Sequence, residues 1–500
     1  MFERTDSWSD AEAVAVSCLA AGVERADPVR ATRDALSVSG SELVLDGERI
    51  DLAGFDRVVV VGGGKGSDRV ASAVVDALDG RVDGGEDVVD GGVDDGVIVV
   101  DERSTDADDA AGEPIDTGPV EVRVGDHPIP SERGVESAVA ARDVVADADA
   151  STLVLAVVTG GASALLPAPV DDVRLSALRD VTRDLLEAGA GIDEVNAVRK
   201  HVSALKGGRL AALAAPARVA TIAVSDVVGD DPAVIGSGPT VPDESTYADA
   251  LDGLSRYDID APAVRAHLER GARGDVPETP GPDDDVFDRT SYHVVASART
   301  AVAGAVDAAR DHGFEPCVLS TTVTGEARDA GRNHATVGRS VAGTGEPVAP
   351  PAVLVSAGET TVTVRGAGTG GPNQEFVLGG ALEFADGFED DCDGCDGGDH
   401  DGGDDGDDAV DADHGVDVDG AIAAVDTDGR DGSTDAAGAV LAADALAGGD
   451  DDTVDAAREA LAANDAYGFL VDRDALLFSG ATGTNVNDLH VLVVDDVTDP

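Results

Sequence analysis

Four apolar runs, three unbroken and one interrupted only by Arg218 and Thr221, each hand over to a turn of small residues and constrain this chain more than any other feature of it. Residues 58–61 are all Val and lead into Gly62, Gly63, Gly64, Lys65, Gly66 and Ser67, after which Val70, Val74 and Leu78 recur at helical spacing. Residues 153–158 lead into Thr159, Gly160, Gly161, Ala162 and Ser163. Residues 217–224 lead into Ser225 and Asp226, and residues 352–355 into Ser356, Ala357, Gly358 and Glu359. An apolar run without alternation marks a strand covered on both faces. Strand, glycine turn and helix in succession predict a doubly wound, Rossmann-like α/β/α sheet. Ligands of such sheets sit beyond the carboxyl ends of the strands, where these turns lie.

A chain of 500 residues is long enough for two or three cores. Three Asp- and Gly-rich stretches, 79–118, 271–288 and 386–420, lack the apolar residues to build one and read as surface insertions. The domain boundary is expected near 270–290, dividing the chain into an α/β domain over 1–270 and a second over 290–500.

The acidity decides which partners are excluded. There are 100 acidic and 35 basic side chains, a formal net charge of −65. Phosphate backbones need a basic face, so nucleic acid is excluded, and anionic membrane surfaces are disfavoured for the same reason. The bias runs through every segment, and only three lysines remain: Lys65, Lys200 and Lys206. Such a surface repels itself in dilute buffer, whereas in molar salt the Debye length shrinks to about 3 Å. The reading is a salt-adapted protein. An acidic start over residues 1–10, with no basic then apolar leader, points to the cytoplasm. Residues 151–170 carry no charge, but Gly160, Gly161, Pro167 and Pro169 interrupt them, which suits a buried strand and turn better than a membrane span. Cys18, Cys317, Cys392 and Cys395 form no disulfide framework, and the Cys392-x-x-Cys395 pair reads as part of a solvated loop.

The turns carry the candidate chemistry. The 62–67 turn has Val at 59 where a Walker loop needs Gly, and Ser at 67 where a dinucleotide loop needs Gly. It nevertheless keeps Lys65 beside an expected helix N-terminus, which favours anions. The 159–163 turn is no nucleophile elbow, since residue 165 is Leu; its amides suit a carboxylate or phosphate, or a plain turn. The block 196–246 is the densest. It holds Asn196, Arg199, Lys200, Ser203, Lys206 and Arg209, then Asp226, Asp230 and Asp231, then Ser237, Gly238 and Thr240. Arg199, Lys206 and Arg209 are spaced at seven and three, which predicts one cationic helix face for an anionic ligand. Asp226 ends an apolar strand, as does Asp428 after residues 421–425, and two such carboxylates suit magnesium or base chemistry at a cleft. Further turn clusters lie at 368–375, 427–435 and 479–488; the middle one lacks the twelfth-position Glu of a calcium loop.

Taken together, these stretches resemble the two-domain glycerate 2-kinase family, whose C-terminal half is the MOFRL domain. The similarity includes Gly125, Asp126, His127, Pro128, Ile129 and Pro130 and the segment 358–364, and runs in order from about residue 55 to the end. It implies an N-terminal α/β domain, a smaller C-terminal α/β domain of MOFRL type, an active site in the cleft between them, and ATP- and magnesium-dependent phosphorylation of D-glycerate to 2-phosphoglycerate. Lys65 corresponds to the family's active-site lysine, and Asp428 falls in its Thr-Asp-Gly-x-Asp-Gly motif. Lys65, Asp226 and Asp428 are the expected catalytic residues: Lys65 on the phosphates, Asp226 or Asp230 on magnesium, and Asp428 on the substrate hydroxyl proton. Substrate and ATP are expected to meet Gly160, Gly161, Ser163, Asn196, Arg199, Lys206, Ser237, Gly238 and Thr240 in the first domain. In the second they are expected to meet Gly370, Gly371, Asn373, Gln374, Glu375, Thr482 and Asn485. Pro372 stands where the family usually has Arg, and Arg365 or Arg430 is the expected substitute. A homodimer is left open. The alternatives are a hydroxypyruvate reductase using NAD(P)H, against which the missing dinucleotide glycines count, and a non-catalytic acidic binding protein. The charge generates one expectation of its own: folding and activity rise with KCl into the molar range, checked by circular dichroism across a salt series, and equal folding in millimolar buffer contradicts it.

Overall fold

The computed structural model describes residues 1–2, 8–80, 92–104, 114–386, 418–446 and 451–495. Most of the expected insertion at 386–420 lies outside the described residues, as do Cys392 and Cys395 and much of 79–118. Packing divides the chain into two units. One comprises Val23–Ala301 with Gly483–Asn487, and the other Met1–Gly22, Val302–Thr482 and Asp488–Pro500. No described helix is long and apolar enough to cross a membrane.

The first unit begins with a small antiparallel sheet of β1 (Leu36–Ser39), β2 (Glu42–Leu45) and β3 (Glu48–Asp51). Its main sheet contains β4 (Arg57–Gly63), β5 (Asp95–Val100), β6 (Val120–Val124), β7 (Thr152–Val158), β8 (Arg218–Val224) and β9 (Thr290–Ala296). The strand order is β6-β5-β4-β7-β8-β9, and every pair is parallel. Three of the four apolar runs are thus β4, β7 and β8, buried over nearly their whole length as a sheet covered on both faces requires. Val59, Val61, Val154 and Ala156 pack with Ala138, Ala141 and Val145 of the helix Glu132–Ala146. The order reverses between β4 and β7, so the switch point of the sheet lies where the 62–67 and 159–163 turns leave it. Because β9 pairs with β8, the division falls after Ala301, beyond the composition shift at 270–290.

The second unit holds β10 (Glu315–Glu326), β11 (Ala352–Thr361), β12 (Gly420–Asp426), β13 (Gly438–Ala442), β14 (Leu476–Leu477) and β15 (Asp488–Val494). Their order is β10-β11-β15-β12-β13-β14, and only β10 and β11 run parallel. Here the turn expected at 356–359 is corrected. β11 continues through those residues to Thr361, and a Cβ on Gly358 would lie 2.0 Å from the Val323 carbonyl oxygen, where the β10 register slips. The small residues serve close strand approach rather than a turn.

Two helices of this unit, Ala327–Thr344 and Pro372–Asp386, also meet backbone to backbone. A Cβ on Gly331 would fall 1.9 Å from the Phe376 carbonyl oxygen, and one on Gly379 would fall 2.5 Å from that of Arg328. Gly331→Ala should therefore force the pair apart and destabilise the protein by about 1–3 kcal/mol, read from the midpoint of urea unfolding.

Candidate functional site

The switch point gathers the first unit's polar residues because the chain there has no room for side chains. A Cβ on Gly62 would lie 1.8 Å from the Val157 carbonyl oxygen, and one on Gly64 would lie 2.1 Å from Thr159 Oγ1. Gly62, Gly64 and Gly66 all take positive φ. The two turns are laced together: Lys65 N donates to the Gly160 carbonyl at 2.8 Å, and Thr159 Oγ1 donates to the Lys65 carbonyl at 2.9 Å. Lys65 is held half-buried just before the helix Ser67–Leu78. A Cβ on Gly160 would be 2.3 Å from Asp226 Oδ2, so the carboxylate at the end of β8 lies against that turn. Burial pushes the Asp226 carboxyl up, and the Lys65 charge opposes the shift.

A cavity of about 670 Å³ opens beside these turns. It is lined by His127, Gly161, Ser163, Arg199, Ser203 and Lys206, with Pro128, Ile129, Leu178 and Leu186 on its apolar side. The single cationic helix face expected for Arg199, Lys206 and Arg209 does not form. The helix Ile192–His201 ends before Lys206, and a new one, Arg209–Ala214, starts after it. Arg199 and Lys206 still converge on the cavity, while Arg209 donates to the Tyr247 hydroxyl at 3.2 Å. Lys206 is buried, with Nζ donating to the Leu166 carbonyl at 3.3 Å. Burial, with the Arg199 charge beside it, pulls its ammonium down to about 7. Burial lowers Arg199 as well. Among the described residues neither cation makes an ion pair, so both charges are available to an anion.

The remaining expected residues of this unit divide into two groups. Ser163 Oγ lies 2.8 Å from Ser237 Oγ, which donates to Asn196 Oδ1 at 3.1 Å, so Asn196 and Ser237 hold Ser163 from behind. Ser237 adopts φ +63° between two left-handed glycines, Gly236 and Gly238, and the Gly207 and Gly208 amides fasten that turn. Thr240 faces away: its hydroxyl meets Thr221 at 2.7 Å inside the core. Lys200 is spent on Asp243 at 3.1 Å, with both side chains buried. Asp230 lies 3.7 Å from Arg299. Among the described residues no group of three or more His, Cys, Asp or Glu side chains is arranged to hold a metal ion.

In the second unit Asp428 is half-buried, its Oδ1 accepting from the Arg430 amide at 2.8 Å. Thr482 braces that loop, its amide donating to the Asp428 carbonyl at 3.2 Å and its hydroxyl to that of Thr427 at 2.6 Å. Gly371 is pressed on Asp431, 2.3 Å from where its Cβ would be, while Gly370 packs near Ala466. Asn373, Gln374 and Glu375 are buried and engaged within the protein. Asn373 Nδ2 donates to Asp488 at 2.7 Å, Gln374 Nε2 to Thr434 at 2.9 Å, and Glu375 accepts from Arg328 at 2.6 Å and Asn464 at 2.8 Å. Pro372 opens their helix. Asp431 caps it through the Asn373 and Gln374 amides, yet burial still pushes its carboxyl up to about 7. Asp426 and Asp488 are likewise raised by burial, within one carboxylate cluster. Asn485 is half-buried, in the segment Gly483–Asn487 that packs with the first unit, where a Cβ on Gly66 would sit 3.6 Å from the Gly483 carbonyl oxygen. Sequence reasoning gave no role to His127, Asp431 or Asp488. The chain has only nine histidines, and one placed between a short strand and two prolines was the available signal for His127.

The depressed Lys206 gives a signed expectation. Below pH 7 the ammonium is already charged, and affinity for a carboxylate ligand should not vary with pH. Above 7 each binding event must also take up a proton, so the apparent Kd should rise toward tenfold per pH unit until the bound-state pKa is reached. Titration calorimetry in buffers of differing ionisation enthalpy checks this, and no proton uptake at pH 8 contradicts it.

Comparison with known proteins identifies the family. The model of a domain of unknown function, DUF4147, matches residues 14–269, and that of the MOFRL family matches residues 352–488. A Glycerate 2-kinase from Pyrococcus horikoshii is 33% identical over 489 residues, covering 97% of this chain and 98% of its own. A protein of Agrobacterium vitis, provisionally named a hydroxypyruvate reductase, is 37% identical over 441 residues, covering 88% and 87%. A crystal structure of a glycerate kinase from Thermotoga maritima superposes with a TM-score of 0.75 at 28% identity, over 97% of this chain and 99% of that one. Across nearly their full lengths the sequences and folds agree, and this chain belongs to the glycerate 2-kinase family with DUF4147 and MOFRL domains.

Proposed function

We propose that this protein transfers the γ-phosphoryl group of ATP to the C2 hydroxyl of D-glycerate. The observation that carries the reading is the pairing of Arg199 and Lys206 on one cavity lined also by Gly161, against which the Lys65 stem lies. Two cations, Lys206 buried and Arg199 partly so, fix a carboxylate, and the hydroxyl beside that carboxylate then points to a definite place. Rate depends steeply on such placement, with a 1 Å error costing about a hundredfold.

Phosphoryl transfer is catalysed mostly by positioning and charge neutralisation. Ser163, held by Ser237 and Asn196, joins the cationic pair on the carboxylate. Lys65 meets the transferring phosphoryl group at the helix N-terminus. Magnesium takes one or two protein carboxylates together with substrate phosphates rather than a full protein cage. Asp226 suits it, since a carboxyl raised by burial gains from a cation placed beside it. Asp230, turned toward Arg299, suits it less. When bound, the ion supplies charge neutralisation to the phosphates. The family motif assigns the hydroxyl proton to Asp428 of the second unit, and the first unit has a candidate of its own. The acidity spread through the chain supports a salt-rich cytoplasm as the working environment.

The phosphorus NMR spectrum of the product from ATP and D-glycerate tests the reading, with a 2-phosphoglycerate signal expected. A 3-phosphoglycerate signal would reverse the substrate's orientation. NADH consumption on hydroxypyruvate, without any phosphorylated product, overturns the kinase. Lys65→Ala should cut turnover by at least about a hundredfold, roughly 3 kcal/mol, without unfolding. Lys65→Arg should recover little of it, because a planar guanidinium is a poor replacement for a point charge in a glycine turn.

A further inference from the structure

We propose that His127 accepts the proton of the glycerate C2 hydroxyl as the phosphoryl group arrives, an assignment that rests on the kinase reading. The imidazole lies against the 159–163 turn: a Cβ on Gly161 would be 2.9 Å from His127 Cδ2, 3.3 Å from its Nε2 and 3.6 Å from Lys65 Cγ. His127 and the Lys65 stem therefore flank one glycine, and a side chain there would push them apart. The imidazole also lines the cavity that holds Ser163, Arg199 and Lys206. A substrate whose carboxylate is gripped by that pair, with its hydroxyl turned toward Lys65, brings the hydroxyl past the imidazole.

The surroundings suit a base. Partial desolvation against the turn lowers the pKa of His127 below its ordinary 6.5, the Lys65 charge lowers it further, and Asp101 opposes them. Across the cavity Arg199 and Lys206 add positive charge, Glu187 adds negative charge, Asp180 is paired with Arg183, and Asp126 on the same loop is neutralised by Arg133. Arg179 is tied to the Pro130 carbonyl. Near pH 7 the ring is thus neutral and able to accept. The step balances. The C2 O–H bond breaks as the C2 oxygen bonds to phosphorus, the bond from phosphorus to its bridging oxygen breaks, and ADP leaves with that electron pair. The proton passes to the imidazole and then to solvent, which His127 meets as an exposed residue. By contrast, one Asp428 oxygen is occupied by the Arg430 amide in a turn.

The test is the pH profile of ADP release from ATP and D-glycerate at saturation. Wild-type kcat should fall on the acid side with a midpoint below 6.5. His127→Gln should lose that limb and about a hundredfold of kcat near neutrality, with KM for glycerate little changed. In His127→Ala, added imidazole should restore part of the rate, which a merely structural role would not allow. Lys206→Met should alter KM instead, and Asp428→Asn should keep the acid limb. An acid limb that survives in His127→Gln, or that disappears in Asp428→Asn, overturns the assignment while leaving the kinase intact. Absence of ADP formation from the wild type overturns the kinase reading, and this assignment with it.

Discussion

The β4 and β7 turns approach each other too closely to admit a β-carbon, and the first unit's site depends on that approach. Gly62 faces the Val157 carbonyl, Gly64 faces Thr159, and Gly160 faces the Asp226 carboxylate. Any larger residue at these points would drive the strand ends apart, and with them Lys65, Ser163 and Asp226. The hydrogen bonds from Lys65 N and Thr159 Oγ1 across the gap then fix the separation. A parallel sheet supplies the frame because its strand order reverses there, the place where such sheets open a crevice.

Electrostatics inside that crevice run against the rest of the chain. A protein with 65 excess negative charges keeps Arg199 and Lys206 on one cavity, and among the described residues neither makes an ion pair. Burial makes this costly, and the lowered Lys206 ammonium is the measure of it. An anion placed beside these two cations would offset that cost. Lys200, one helical position from Arg199, shows the contrast, since Asp243 neutralises it and it is framework. The second unit shows the opposite sign. Asp426, Asp431 and Asp488 crowd together, their carboxyls raised by burial, and Asn373 and the amides of its helix hold them.

The sequence by itself determined the three central strands β4, β7 and β8 of the first sheet and the turns that end them. Unbroken Val and Ala runs can be satisfied only by burial on both faces, and glycine after a strand end has few other uses. The same local logic marked Lys65, Gly160, Gly161, Ser163, Arg199, Lys206 and Asp226, all of which the fold brings to the switch point. Where small residues followed an apolar run inside a mixed sheet, the logic failed. Ser356–Glu359 continue β11, because the neighbouring strand, which spacing cannot show, demands close approach. Tertiary structure alone decided which polar residues of a dense motif are engaged inside the protein. Thr240, Asn373, Gln374 and Glu375 look like ligand residues in the sequence, yet their partners come from 19 to 115 positions away and bury them. His127 is the converse. Its place beside two prolines marks the segment without giving it a role, and the pairing of β5 with β6 and β4 with β7 carries its loop to Gly161 and Lys65. Local chemistry sets what a segment can become, whereas the partners that satisfy or spare a polar group are chosen by contacts distant in sequence.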